Sequence, residues 1–223
     1  MATSRTSEIT SPAAALTEAA PAPQGRPRSR AVDDAILRAA IELFFEHGVQ
    51  GASIEKIAKR AGVAKTSIYR RWSSREVLLA QAIEVFRSTV GPSVEVMDRT
   101  PPDTFLALLI DACGAIARPQ VRKLLTRLIG SIADCPSLMA VYRESYLLPR
   151  RNAFVRALVR MHEAGLVPAA SDPELLADML IGALIQRVVV TPSTGDTPEA
   201  LRGYLTRLLR QAGVELPDEA TGA

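Results

Sequence analysis

Eight side chains between residues 53 and 75 share one kind of chemistry. Ser53, Thr66, Ser67 and Tyr69 carry hydroxyls, while Lys65, Arg70, Arg71 and Arg75 carry cations. Hydroxyls and cations bind phosphate oxygens, and arginine and lysine also reach the acceptor edges of bases in a major groove. Six of the eight lie in the run 65–71, interrupted only by Ile68. Ile68 and Trp72 stand four apart, so 65–72 reads as a short helix with a narrow apolar side and a polar, cationic outer side. A solvated helix face is the other reading of this pattern.

The distribution of charge favours recognition of a polyanion. The chain has a formal net charge of only +3, yet residues 26–75 hold 11 Lys/Arg against 5 Asp/Glu, whereas 76–223 hold 15 against 17. The basic excess therefore sits in the block that carries the hydroxyls. Other chemistries find little support. His47 and His162 are the only histidines, and neither has a catalytic partner visible in sequence, so an enzyme is not expected. Cys113 and Cys135 form no CxxC and have no histidine pair nearby, which argues against a disulfide framework, a zinc site or any cofactor. No apolar run approaches a membrane span or a signal-peptide core, so the expectation is a soluble protein of a reducing cytoplasm.

The elements that must position these groups are legible on either side. An all-α chain is expected, with no strand-like alternation of useful length. Residues 1–29 are rich in Ala, Pro, Ser and Thr and read as a disordered tail. The tail ends in Arg26, Arg28 and Arg30, either a minor-groove arm or a basic linker. A first helix places Ile36, Ala40, Leu43 and Phe44 on one side and closes at Gly48. A second is capped by Ser53, presents Ile54, Ile57, Ala58 and Ala61, and ends at Gly62. After 65–72, Ser73 and Glu76 fit a capping box that opens a fourth helix through Val77, Leu78, Leu79, Ala82, Ile83 and Phe86. Beyond Gly91-Pro92, amphipathic stretches cover about 103–117, 120–133, 137–164, 173–190 and 198–212, with Pro149 expected to kink or split the third. The division implied is 1–29 tail, 30–75 DNA-binding head, 76–215 larger helical domain and 216–223 flexible end.

Two short helices joined by a glycine-containing turn, the second cationic, form the helix-turn-helix arrangement. From about residue 31 to 86 the chain resembles the TetR family. The resemblance is carried by Ile36-Leu37-Arg38-Ala39-Ala40, Phe44 through Gly48, Ser53 through Ala58, Ala61-Gly62-Val63, and above all Ile68 through Glu76. It implies a three-helix DNA-binding domain followed by a larger helical domain that binds a ligand and dimerises. It also implies a repressor that binds a palindromic operator as a homodimer and is released by a small molecule. Matched by position, Ser53, Tyr69 and Arg75 would contact phosphates, Lys65 to Arg71 would face the groove, and Trp72 would pack the head. Ala64 departs from the pattern, which puts a cap and a phosphate contact in doubt, and Thr66 replaces a frequent glycine.

For the larger domain the residues themselves must carry more. In 173–190, Leu176, Met179, Leu180, Ala183 and Leu184 form one stripe and Ile181, Ile185 and Val188 another. With Leu201, Tyr204, Leu205, Leu208 and Leu209 of the next helix, these would make a four-helix interface across a two-fold axis; burial within one subunit is the alternative. Candidates to line a ligand pocket are Phe86, Phe105, Leu109, Cys113, Tyr142, Tyr146, Phe154, Met161 and Met179. Arg143, Arg150 and Arg151 are candidates to meet an acidic ligand, or else solvated charges.

Overall fold

The computed structural model describes residues 30–193 and 195–216. The tail with Arg26 and Arg28, and residues 217–223, lie outside the described residues; Arg30 is the first described residue and is exposed. The described residues form eleven α-helices and no strand. The first four are α1 (Arg30–Gly51), α2 (Ile54–Ala61), α3 (Lys65–Tyr69) and α4 (Arg75–Ser88). Gly48 interrupts α1 with φ of 68°, a left-handed conformation that favours a residue without Cβ. Gly62, also left-handed, closes α2, and its N–H donates to Ala58 and Lys59 carbonyls. Ser53 caps α2 by accepting from the Lys56 N–H at 3.3 Å.

One expected cap moves by a residue. The side chain that accepts from the Val77 N–H is Ser74, not Ser73, at 3.2 Å. The reason lies upstream: Trp72 continues the turn after α3, its N–H bonding the Ile68 carbonyl, and its ring is buried. At Ser74 the backbone is extended, as a cap requires.

The larger domain contains α5 (Val94–Arg99), α6 (Pro102–Ala115), α7 (Pro119–Asp134), α8 (Pro136–Tyr142), α9 (Leu148–Glu163), α10 (Pro173–Ile185) and α11 (Pro198–Gln211). The short α5 was not expected; it holds one buried side chain, Met97, too little to set up an apolar period. Between α8 and α9 the helix widens into a π-turn over Arg143–Leu147, just ahead of Pro149. A proline lacks an N–H and crowds the carbonyl four residues back, and the wider turn accommodates both. A second π-turn, Gln186–Val190, extends α10.

Apolar side chains gather in two clusters. The first joins α1, α2, α3 and α4 to α7 and α8, with Ile36, Phe44, Ile57, Ile68, Leu78 and Leu79 fully buried and Leu124, Leu128 and Leu138 closing it from below. The head's core thus continues past residue 75 into the next domain. The second cluster lies among α5, α6, α9, α10 and α11.

This partition bears on two expectations. The pocket candidates other than Met179 divide between the two clusters. Tyr142 belongs to the first cluster, with Phe86 and Tyr146 packed on it. Phe105, Cys113, Phe154 and Met161 belong to the second, with Leu109 packed on it, and Met179 is exposed. Core and pocket walls use the same apolar side chains, so periodicity cannot separate them. Among the interface candidates, Leu176, Leu180, Leu201 and Leu205 are buried inside the subunit and cannot face a partner. Ala183, Leu184, Tyr204 and Leu208 are half-buried. Met179 does point outward, as do Ile181 of the second stripe and Leu175, which the sequence did not single out.

Candidate nucleic-acid interface

Two apolar anchors hold α3 on the head. Ile68 is fully buried, and Trp72 is buried with its Nε1 donating to Gln81 Oε1 at 2.7 Å. Gln81, on α4, was not singled out from sequence, because an i,i+9 pairing across a turn has no local signature. With those anchors inward, Lys65, Thr66, Tyr69 and Arg70 are exposed and Ser67 is half-buried. Tyr69 is 57% exposed, unusual for an aromatic ring in a small core. Arg70 makes no side-chain hydrogen bond or ion pair among the described residues, so its guanidinium is available.

Arg71 is not. It was expected to face the groove, but its side chain is largely buried and its Nε donates to Asp33 of α1, while Nη1 donates to the Ser67 carbonyl at 2.8 Å. Successive helical residues are turned by about 100°, and Arg71 is carried round to the α1 side. It therefore braces α3 against α1. Asp33, 38 residues earlier, was visible only as a first-turn acid.

Further ion pairs fix the short helices. Lys65 Nζ lies 2.5 Å from Glu55 Oε1, tying α3 to α2 where Ala64 offers no side-chain cap. Arg60 of α2 donates to both carboxylate oxygens of Glu46 on α1, at 2.7 and 2.9 Å. The Arg60 guanidinium beside Glu46, and the Lys65 ammonium beside Glu55, hold both carboxyls below the usual glutamate range. Ser53 is half-buried at the start of α2, and Arg75 is half-buried at the start of α4, 3.1 Å from Glu76.

The head is also wired to the larger domain. Glu84 of α4 receives Arg150 Nη2 at 2.6 Å and Arg87 Nε at 3.3 Å. Arg127 of α7 reaches the Glu46 carbonyl at 3.5 Å. The three arginines once considered for an acidic ligand are already paired: Arg143 with Glu144, Arg150 with Glu84, Arg151 with Asp178. No single helix among the described residues is long and apolar enough to cross a membrane.

A three-helix head with an anchored, outwardly cationic second helix, fused to a larger helical domain, defines a helix-turn-helix regulator. Residues 36–82 match the family described as bacterial regulatory proteins, tetR family, and residues 102–202 match the tetracyclin repressor-like C-terminal domain. The chain belongs to the TetR family of transcriptional regulators, and is not an enzyme. It is 29% identical to the HTH-type transcriptional regulator YdeS of Bacillus subtilis over 174 residues, 75% of this chain and 83% of that one. With the HTH-type transcriptional regulator AcrR of Shigella flexneri it shares 26% over 184 residues, 78% and 86% of the two chains. Among solved structures, the transcriptional regulator FadR from Bacillus subtilis in complex with stearoyl-CoA aligns with a TM-score of 0.64 at 23% identity, covering 80% of this chain and 98% of that one.

Proposed function

We propose that this regulator is a homodimeric repressor that binds a palindromic operator and is released by a small-molecule ligand. The observation that carries the DNA-binding half is α3 itself: Ile68 and Trp72 are locked inward while Thr66, Tyr69 and Arg70 stand unobstructed. In this reading α3 enters the major groove, Arg70 reads a base edge, and Ser53, Lys65, Thr66, Ser67, Tyr69 and Arg75 hold the backbone. Arg30, with Arg26 and Arg28 before it, is positioned by sequence to follow the adjacent minor groove.

Leu175 and Met179 support dimerisation, since exposed apolar side chains one turn apart on the same helix face call for a cover. In this reading the half-buried Tyr204 and Leu208 of α11 also face the partner. Two heads related by a two-fold axis meet half-sites about 34–36 Å apart, hence the palindrome. Small-molecule release is supported by the family and by FadR, whose structure holds stearoyl-CoA; the ligand of this chain need not share that chemistry. The division into a 30–75 head and a 76–215 domain is kept as a functional one, even though one apolar cluster crosses it.

A mobility-shift titration with the DNA flanking the protein's own gene tests the proposal. Binding that weakens steeply with salt, with two chains per operator, is the expected result. Absence of any salt-sensitive binding to that DNA, or to fragments selected from a random pool, would overturn it.

A further inference from the structure

Many arginines of the larger domain are neutralised by carboxylates: Arg150 by Glu84, Arg151 by Asp178, Arg156 by Asp98 and Arg202 by Asp111. One side of α7 is different. A cleft of about 560 Å³ opens between α7 and the loop leading into α11, and Arg122, Lys123 and Arg127 line it together with Ser193 and Asp196. Asp196 is the one carboxylate among the lining residues, and it is shared between Arg187 and, more distantly, Arg122, with its Oδ1 accepting no hydrogen bond. Its side chain is fully buried, Arg187 Nη2 lies at 2.7 Å and the Ser193 N–H donates to it at 2.8 Å. Arg122 is left at 3.9 Å, with its Nε sealed from solvent and without an acceptor. Arg127 has as its acceptor the Glu46 carbonyl, a neutral group at 3.5 Å. Lys123 is exposed and contributes only as a minor, remote influence on the Glu46 carboxyl, which Arg60 chiefly holds.

Three cations against one shared carboxylate, in a concave wall, concentrate anions. Guanidinium forks match the paired oxygens of a carboxylate or phosphate. Ala117, Pro119 and Thr126 complete the lining, and the first two suit a short apolar body. We propose that this cleft binds a small organic anion, a carboxylate or phosphate ester on a short apolar body, and that α1 of the DNA-binding head responds to its occupancy. The coupling runs through Arg127. With Thr126 it also lines a second cleft, of about 340 Å³, against His47, Gly48, Val49 and Gln50. Gly48 leaves the room: a Cβ there would meet Arg127 Nη1 at 3.3 Å. An anion that recruits Arg127 takes it from the Glu46 carbonyl and loosens the last turn of α1. The regulatory meaning rests on the DNA-binding reading above, but the site does not.

The test is therefore run without DNA, on the full chain. Titration calorimetry at low salt uses benzoate, phenyl phosphate and neutral benzamide as probes, the two anions separating carboxylate from phosphate preference. Expected are one anion per chain, affinity falling with added salt, and no heat from benzamide. Arg122→Gln and the surface change Lys123→Gln should each weaken binding by about tenfold, with circular dichroism confirming the fold. Amide exchange over residues 46–51 should quicken when the anion binds, and should be insensitive to it in Arg127→Gln. Failure of both anions to bind, or binding unmoved by Lys123→Gln and Arg122→Gln alike, overturns the site. Binding without change at 46–51 overturns its coupling to the head. A chain that takes the anion yet binds no DNA would contradict the repressor reading alone.

Discussion

Arg70 and Arg71 follow one another in the chain, and both looked fit to touch DNA. In the fold they do different work. Arg70 projects with no partner among the described residues, while Arg71 is folded back onto Asp33 and the Ser67 carbonyl. If Arg70 reads a base edge, Arg70→Ala should cost about 1–3 kcal/mol of discrimination and leave binding to random DNA largely intact. Tyr69→Phe, losing a phosphate-binding hydroxyl, should weaken cognate and random DNA alike. Fluorescence anisotropy on both duplexes checks the pair, and equal effects from both changes would reverse these assignments. Asp33→Asn should behave like neither: it releases the brace on α3, so it should lower affinity for every sequence and speed amide exchange in 65–71.

Among the elements, the short helices of the head depend on caps and ion pairs because five or eight residues cannot hold a helix alone. Ser74→Ala should cost about 1 kcal/mol of stability by urea denaturation, whereas Ser73→Ala should be nearly silent. The reverse order would restore the cap to Ser73. The Glu46–Arg60 and Glu55–Lys65 pairs add a pH dependence of definite sign. Both carboxyls bind protons less tightly in the folded protein than their ordinary value of 4.5. Their contribution is thus fully present above that value and is lost as pH falls through the depressed one, because the unfolded chain takes up protons first. Glu46→Gln with Glu55→Gln should remove that contribution at neutral pH and leave stability at the acid end unchanged, so that the acid side of the thermal stability profile flattens; the loss should be small, as expected of exposed pairs.

At the scale of the whole molecule, the two apolar clusters explain how one domain can act on another. α7 and α8 complete the head's core, so any shift of α7 is a shift of packing under α1 and α4. Arg150–Glu84 and Arg127–Glu46 add polar ties at the same seam. In the second cluster, α10 presents Leu175 and Met179 while burying Leu176 and Leu180. Leu175→Glu with Met179→Glu should therefore leave the fold intact and give a monomer by sedimentation. It should also lose about a hundredfold in affinity for a palindrome, since two linked heads gain by avidity what one cannot. A dimer that persists through both changes would move the interface elsewhere.

Much of the head was legible in the chain. Ser53, Gly48, Gly62, the Ile68–Trp72 spacing and the local basic excess are short-range signals, because caps, left-handed turns and helical periods are settled within a few residues. Such signals also laid out the order of the long helices and the all-α class. What needed the tertiary structure were relations between distant residues: Asp33 beneath Arg71, Gln81 on Trp72, Glu84 under Arg150, and the sorting of one apolar helix into Leu176 inside and Leu175 outside. A helix apolar nearly all round has no polar side to declare its orientation, and a cavity is a property of gaps between elements rather than of any residue in them. The hydroxyls and cations of 53–75 were determined by the sequence as a set; which of them stand free of the protein was decided only when α1 and α4 closed around Ile68 and Trp72.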